Sequence, residues 1–302
     1  MASLRIIRRR IRSVQSISKI TRAMEMIAAL KMRRAQEGGL AGRPYAEKIT
    51  QVIADLAVLY RGKGQLSAHP LLQQRPIKNV LIVAATSAES EVVGLPGEVV
   101  QKTGGFSLGD MDVSILVAGV GSYSTSWEMQ KWIAQNGKPG LALNIGIAGS
   151  YNQSLVIGDV VMPVTDCFAD AGIEDGSRFL SIYEAGLAGP DAFPFRNGRI
   201  HAGQHFVELL KDIARPVNAI TVNTATGSDS TRDKLFRKYK PDIETMEGAT
   251  FFYICSREGI PFTALRAVSN MVEPRDKRNW DIKLALTNLA KKLEQVLLIL
   301  NS

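Results

Sequence analysis

Three side chains able to do polar chemistry follow closely on short apolar runs in this 302-residue sequence. Glu89 ends AATSAE, Glu247 stands in ETMEGATFF, and Asn270 ends RAVSN. A carboxylate in such a position accepts hydrogen bonds, takes a proton from water, and stabilises a developing cation. The alternatives are an ordinary surface acid for Glu89 and a first-turn acid favoured by the helix dipole for Glu247. An asparagine amide carries both a donor and an acceptor, so Asn270 either reads a polar edge or caps a turn. Arg266, four residues earlier, either orients an acid or a water or belongs to a structural ion pair. In the Gly146-Ile147-Ala148-Gly149 turn, the glycines either let backbone approach a small ligand or close a tight strand end. Phe168 offers an aromatic face to a ligand or to the core.

Other chemistries find little support. GVGSYS at 119–124 lacks the third glycine of a dinucleotide fingerprint, and no GxxxxGK[ST] occurs. His69, His201 and His205 match no triad or metal spacing. Cys167 and Cys255 have neither CxxC nor histidine-rich company, which argues against a zinc site or a disulfide framework and suits a reducing compartment. No metal and no organic cofactor is expected. No apolar run reaches the ~20 residues that span a bilayer, and the first apolar positions are interleaved with arginines, unlike a signal peptide. The expected location is the cytoplasm.

The elements that must position these residues begin near Ile77. NVLIVAA, VSILVAGV, LALNIGIAG, VIGDVVMPV, NAITVNT and PFTALRAVS read as strands. Residues near 123–136, 229–239, 247–257 and 280–300 read as helices. Continuous apolar strands alternating with helices imply an α/β sheet covered on both faces, with ligands at the carboxyl ends of the strands.

Residues 1–76 differ in character. Residues 1–79 hold 16 Lys/Arg against 4 Asp/Glu, and residues 80–302 hold 21 against 25, so the basic charge belongs to one end. Leu4, Ile7, Ile11 and Val14 mark a helix running from Ser3 to about Arg34, stopped by Gly38 and Gly39. A second helix is expected from Pro44 to about Tyr60. The division is therefore 1–76 as a helical segment and 77–302 as an enzyme domain. Arg8, Arg9, Arg10 and Arg12 without aromatic interleaving are weak grounds for nucleic-acid binding. An arginine-rich amphipathic start also fits a transit peptide. A structural helix removed from its context is preferred to both.

Two resemblances attach to these units. MASLRIIRRRIRSVQSISKITRAMEMIAALKMRRAQ, with RPYAEKI and HPLLQQRPIKNVLIV, resembles the start of the ATP synthase gamma subunit over about residues 1–83. That family implies pairing with a C-terminal shaft helix, which has no counterpart here. The chain thus reads as a chimera whose N-terminal helices pair with ATP synthase components only if the fusion is real. A rotor subunit is the rival reading from a different class.

From residue 79 on, AATSAE, NIGIAGS, VIGDVVMPVTDCFADAGIED, ETMEGATFF and RAVSN resemble, in order, the nucleoside phosphorylase and nucleosidase superfamily. TVNTATGS, ETMEGA and AVSNMVEPR with NWDI look most like its futalosine hydrolase branch, which serves menaquinone biosynthesis. The resemblance implies a three-layer mixed sheet, a homo-oligomer, a nucleoside substrate, and cleavage of an N-glycosidic bond. It implies that Glu89 activates a water, Glu247 accepts from ribose hydroxyls, and Met246 packs on the sugar. Ala148, Gly149, Phe168 and Arg266 complete the implied binding set. Asn270 stands where adenine-specific members carry aspartic acid, so its amide suits hypoxanthine. A methylthioadenosine/S-adenosylhomocysteine nucleosidase and a purine nucleoside phosphorylase are the alternatives within the enzyme class.

Overall fold

In the computed structural model the described residues are 77–93, 100–102, 104–176, 178–274 and 276–301. The chain divides into two units, Met1–Arg75 and Pro76–Ser302, and every described residue belongs to the second. The helices expected over residues 3–34 and 44–60, and His69, lie outside the described residues.

The apolar runs form the strands expected of them. In chain order these are β1 (Asn79–Ala84), β2 (Val100–Lys102), β3 (Gly105–Leu108), β4 (Met111–Val117), β5 (Leu141–Ser150) and β6 (Val160–Asp166). They continue with β7 (Gly172–Asp175), β8 (Arg178–Ser181), β9 (Ile200–His201), β10 (Arg215–Thr221), β11 (Ile243–Thr245) and β12 (Phe262–Met271). The helices are α1 (Ser87–Ser90), α2 (Ser122–Asn136), α3 (Gln204–Leu210), α4 (Asp229–Tyr239), α5 (Gly248–Glu258) and α6 (Ile282–Leu300). VIGDVVMPV starts pairing only at Val160, because Gly158 turns the chain at φ +93° and its N–H donates to Val268 O. NAITVNT pairs only as far as Thr221.

Both faces of the sheet are covered. Val80, Ile82 and Ala84 of β1 pack in one cluster with Ala285, Leu289 and Leu293 of α6. Leu81 and Val83, on the opposite face, pack with Phe251 and Phe252 of α5 and Met129 of α2. Period-two alternation along a strand with both sets buried makes three layers.

The main sheet runs β11-β10-β6-β12-β5-β1-β4-β3-β2, with β9 added at β6 and parallel and antiparallel pairs mixed. One pairing matters most for chemistry. β11 returns antiparallel onto β5, placing Ile243 opposite Ser150 and Glu244 opposite Gly149. Strands β5, β12, β6, β10 and β11 therefore close on themselves, and ETMEGA arrives beside NIGIAG. Among the described residues no helix is long and apolar enough to cross a membrane.

Candidate active site

At the carboxyl ends of β1, β5 and β12 lies a cavity of about 200 Å³. Its lining includes Glu89, Ala148, Gly149, Met246, Glu247 and Asn270. Six of the eight residues expected in the site thus come together. Phe168 and Arg266 are not among the lining residues. Phe168 pairs with Thr221 and packs on the cluster that holds Phe251 and Phe252. Arg266 is buried behind the cavity, with Nη2 donating to Asn144 Oδ1 and Nη1 donating to Leu265 O at 3.2 Å.

Glu89 is positioned by a capping box. Thr86 Oγ1 accepts from Glu89 N at 3.3 Å, while Glu89 Oε2 accepts from Thr86 N and from Thr86 Oγ1, each at 2.9 Å. Glu89 Oε1 accepts from Ile147 N at 3.0 Å. A carboxylate has about four acceptor positions; with three filled, the remaining one lies on Oε1. Gly146 makes this approach feasible, because a Cβ there would sit 2.7 Å from Glu89 Oε1.

Glu247 is the N-cap residue of α5, and its Oε1 accepts from Gly121 N at 2.8 Å. Burial pushes its carboxyl above the ordinary range; the Gly121 bond and the Arg266 charge oppose this, and the Glu89 charge adds to it. Burial lowers Arg266 from its ordinary value, with Glu247, Glu89 and Asp166 acting the other way. Among the described residues no carboxylate oxygen lies within the 4.0 Å of an ion pair with it.

Asn270 follows a bulge. Val268 pairs with Ala148, and the register then shifts so that Asn270 pairs with Gly149. A bulge at a strand end re-aims the next side chain. Asn270 Oδ1 accepts from Ser269 Oγ at 2.8 Å, and Nδ2 donates to Met271 O at 2.9 Å. One N–H and one acceptor position remain for a partner.

Several residues here escaped the sequence reading. Glu244 lines the cavity as a further buried carboxylate and accepts from Tyr151 Oη (2.8 Å), Thr226 N (2.8 Å) and Thr226 Oγ1 (2.7 Å). It fastens the segment carrying Ala225 and Thr226 to the cavity wall; burial first, then its charge, pushes the Tyr151 phenol up. Behind α5, the Thr245 and Thr221 hydroxyls accept from Gly248 N and Ala249 N, satisfying two otherwise open N–H groups. Thr221 Oγ1 also donates to Asp166 Oδ1 at 3.1 Å. Asp166 is fully buried, its Oδ2 has no hydrogen-bond partner among the described residues, and burial pushes it up to about 7. Trp280 completes the lining.

A broader hollow of about 1500 Å³ is lined by Tyr151, Arg232, Asp233, Phe236 and Asp242 among others. There Arg232 pairs with Asp229 and Asp233, and Asp242 accepts from Asn152 Nδ2 and Asn218 N. Size alone does not make it the reactive site, and the convergent carboxylates lie in the smaller cavity.

Comparison with known proteins gives the same two-part picture. The chain is 46% identical over 162 residues to an ATP synthase gamma chain of Dehalococcoides mccartyi, covering 54% of this chain and 55% of that one. Another gamma chain of that species is 55% identical over 120 residues, 39% and 41% of the two chains. The chain thus spans about half or less of the curated relatives it matches. An ATP synthase family model matches residues 3–122, further than the 1–83 expected, and shares residues 82–122 with the second family.

Among solved structures, a futalosine hydrolase of Helicobacter pylori superposes with TM-score 0.60 at 17% identity, covering 73% of this chain and 97% of that one. A 5'-methylthioadenosine/S-adenosylhomocysteine nucleosidase of Neisseria meningitidis superposes with TM-score 0.59 at 19% identity, covering 73% and 98%. These likenesses establish the fold. The phosphorylase superfamily model matches residues 82–301, close to three quarters of the sequence, so the chain belongs to the phosphorylase superfamily.

Proposed function

We propose that residues 77–302 hydrolyse the N-glycosidic bond of a 6-oxopurine nucleoside, most specifically futalosine to hypoxanthine and the dehypoxanthinyl product. The observation that carries this reading is the convergence of Glu89, Glu247 and Asn270 on one cavity. Cleavage builds positive charge on the ribose and negative charge on the departing base, and a carboxylate pair favours the first. Glu89 Oε1 takes a proton from water as the water oxygen bonds to the anomeric carbon. The carbon–nitrogen bond breaks, its electron pair leaves with the base, the base takes a proton from solvent, and Glu89 returns its proton to solvent. Glu247 accepts from the ribose hydroxyls, and Met246 packs on the sugar. The free N–H of Asn270 donates to O6 of the base, and its free acceptor position takes a protonated N7. A mismatch at that edge costs ~1–3 kcal/mol, enough to select between purines.

The futalosine hydrolase and methylthioadenosine/S-adenosylhomocysteine nucleosidases among the structural neighbours support nucleosidase chemistry. Hydrolysis in ¹⁸O-labelled water tests the chemistry. Label in the anomeric hydroxyl of the sugar product is expected; a sugar phosphate free of label would make the protein a phosphorylase.

A further inference from the structure

The nucleosidase reading asks Glu247 to hold the ribose hydroxyls, which requires both its carboxylate and its backbone to be fixed. The carboxylate is fixed from the front, where Oε1 accepts from Gly121 N at 2.8 Å. The backbone opens α5, with Glu247 O accepting from Phe251 N at 3.0 Å. No side-chain cap comes from Glu247 itself. The groups that seat this first turn come from behind it.

Asp166, Thr221 and Thr245 are the last residues of β6, β10 and β11, neighbouring strands whose ends meet at the start of α5. Thr245 Oγ1 accepts from Gly248 N at 3.2 Å, and Thr221 Oγ1 accepts from Ala249 N at 2.7 Å. A backbone N–H can only donate, so both hydroxyl oxygens must accept here and send their protons elsewhere. The Thr221 proton goes to Asp166 Oδ1 at 3.1 Å, which leaves Thr245 as the donor across the 3.4 Å to Thr221 Oγ1. Asp166 Oδ1 is itself held by Cys167 N at 2.7 Å. The acid at the end of the set thus decides the direction of every bond in it. Asp166 and Thr221 are both 0% exposed, so solvent cannot take over either role. Gly248 allows the close fit: a Cβ there would collide with Asp166 Oδ2 and lie 2.8 Å from Thr245 Oγ1.

We infer that Thr221, with Asp166 fixing the direction of its hydroxyl, is a positioning residue that sets Glu247 against the ribose hydroxyls. The inference rests on the nucleosidase reading. A carboxylate held in register with a ribose hydroxyl favours the ribonucleoside over its deoxy counterpart by roughly ten- to hundredfold. A Glu247 whose helix start has shifted loses that preference, whereas a change that only weakens the fold lowers both rates together. The experiment measures kcat/KM of the full chain for futalosine and 2′-deoxyfutalosine and takes their ratio. Thr221→Val keeps the shape, removes the hydroxyl, and lowers the ratio about tenfold; Thr221→Ser restores most of it. Asp166→Ala frees the hydroxyl to turn and also lowers the ratio, and Asp166→Asn, which keeps an acceptor at Oδ1, restores it. Thr263→Val is the control: it removes a buried hydroxyl that has no hydrogen-bond partner among the described residues, at the far end of β12 from Asn270, and leaves the ratio at the wild-type value. A folded Thr221→Val or Asp166→Ala with the wild-type ratio overturns the inference while base release in the wild type keeps the nucleosidase reading. A wild type that releases no hypoxanthine from futalosine removes both.

Discussion

The backbone N–H of Ile147 donates to Glu89 Oε1 at 3.0 Å, joining the ends of β1 and β5 through one carboxylate. The contact depends on Gly146 having no side chain, since a Cβ there would lie 2.7 Å from the same oxygen. A flexible carboxylate yields more readily than backbone. Gly146→Ala is therefore expected to fold normally but to displace Glu89 and lower kcat. Glu89→Gln, which keeps the shape and removes the base, should lose on the order of 10²–10⁴ in turnover. Near-normal turnover in Glu89→Gln would hand the water to another group.

Asn270→Asp reverses the donor at the base edge. Preference should move from hypoxanthine nucleosides toward adenine nucleosides, measured as the ratio of the two kcat/KM values. A ratio equal to the wild type's would take Asn270 out of base recognition.

Asp166 links stability to pH. Burial raises its carboxyl from 3.8 to about 7, so the folded state favours the protonated form. The stabilisation is complete below the ordinary aspartate range and is lost as pH rises toward 7. The melting temperature of the wild type should fall relative to Asp166→Asn between about pH 4 and 7. The difference between the two proteins isolates this group from the other titrating acids. A difference that stays flat across the window would mean the burial of Asp166 is relieved in solution.

Deleting residues 1–76 should leave kcat and KM unchanged, because every group placed in the cavity lies between Ala85 and Trp280. The stripe of Leu4, Ile7, Ile11 and Val14 favours leaving water by ~1.5–3 kcal/mol per side chain. Removing it should also sharpen the size-exclusion profile. A truncated chain with intact circular dichroism and no activity would make the N-terminal segment part of the working enzyme.

Strands β1, β5 and β12 were legible because each is a continuous apolar run, buried on both faces as β1 shows through Val80 and Leu81. Glu89, Glu247 and Asn270 were legible because each closely follows such a run or opens the next helix. Glu244, Thr226 and Trp280 sit inside ETMEGA, TVNTATGS and NWDI, yet their types there look like ordinary flanking polar or aromatic residues. What brings Glu244 to the cavity is the return of β11 onto β5, a three-residue strand pairing with no periodicity to announce it. The capping box in Thr86-Ser87-Ala88-Glu89 explains how an acid in so short a helix is held still. Phe168, offered by sequence to a ligand or to the core, is half-buried and packs against the cluster of Phe251 and Phe252.

The central claim is hydrolysis of a 6-oxopurine nucleoside without phosphate. It is tested most directly by measuring free base released from futalosine, inosine and methylthioadenosine, each with and without inorganic phosphate. Hypoxanthine should appear fastest from futalosine, at a rate that phosphate does not change, with little adenine from methylthioadenosine. Base release that requires phosphate and yields ribose 1-phosphate, or that prefers the adenine nucleoside, would contradict it.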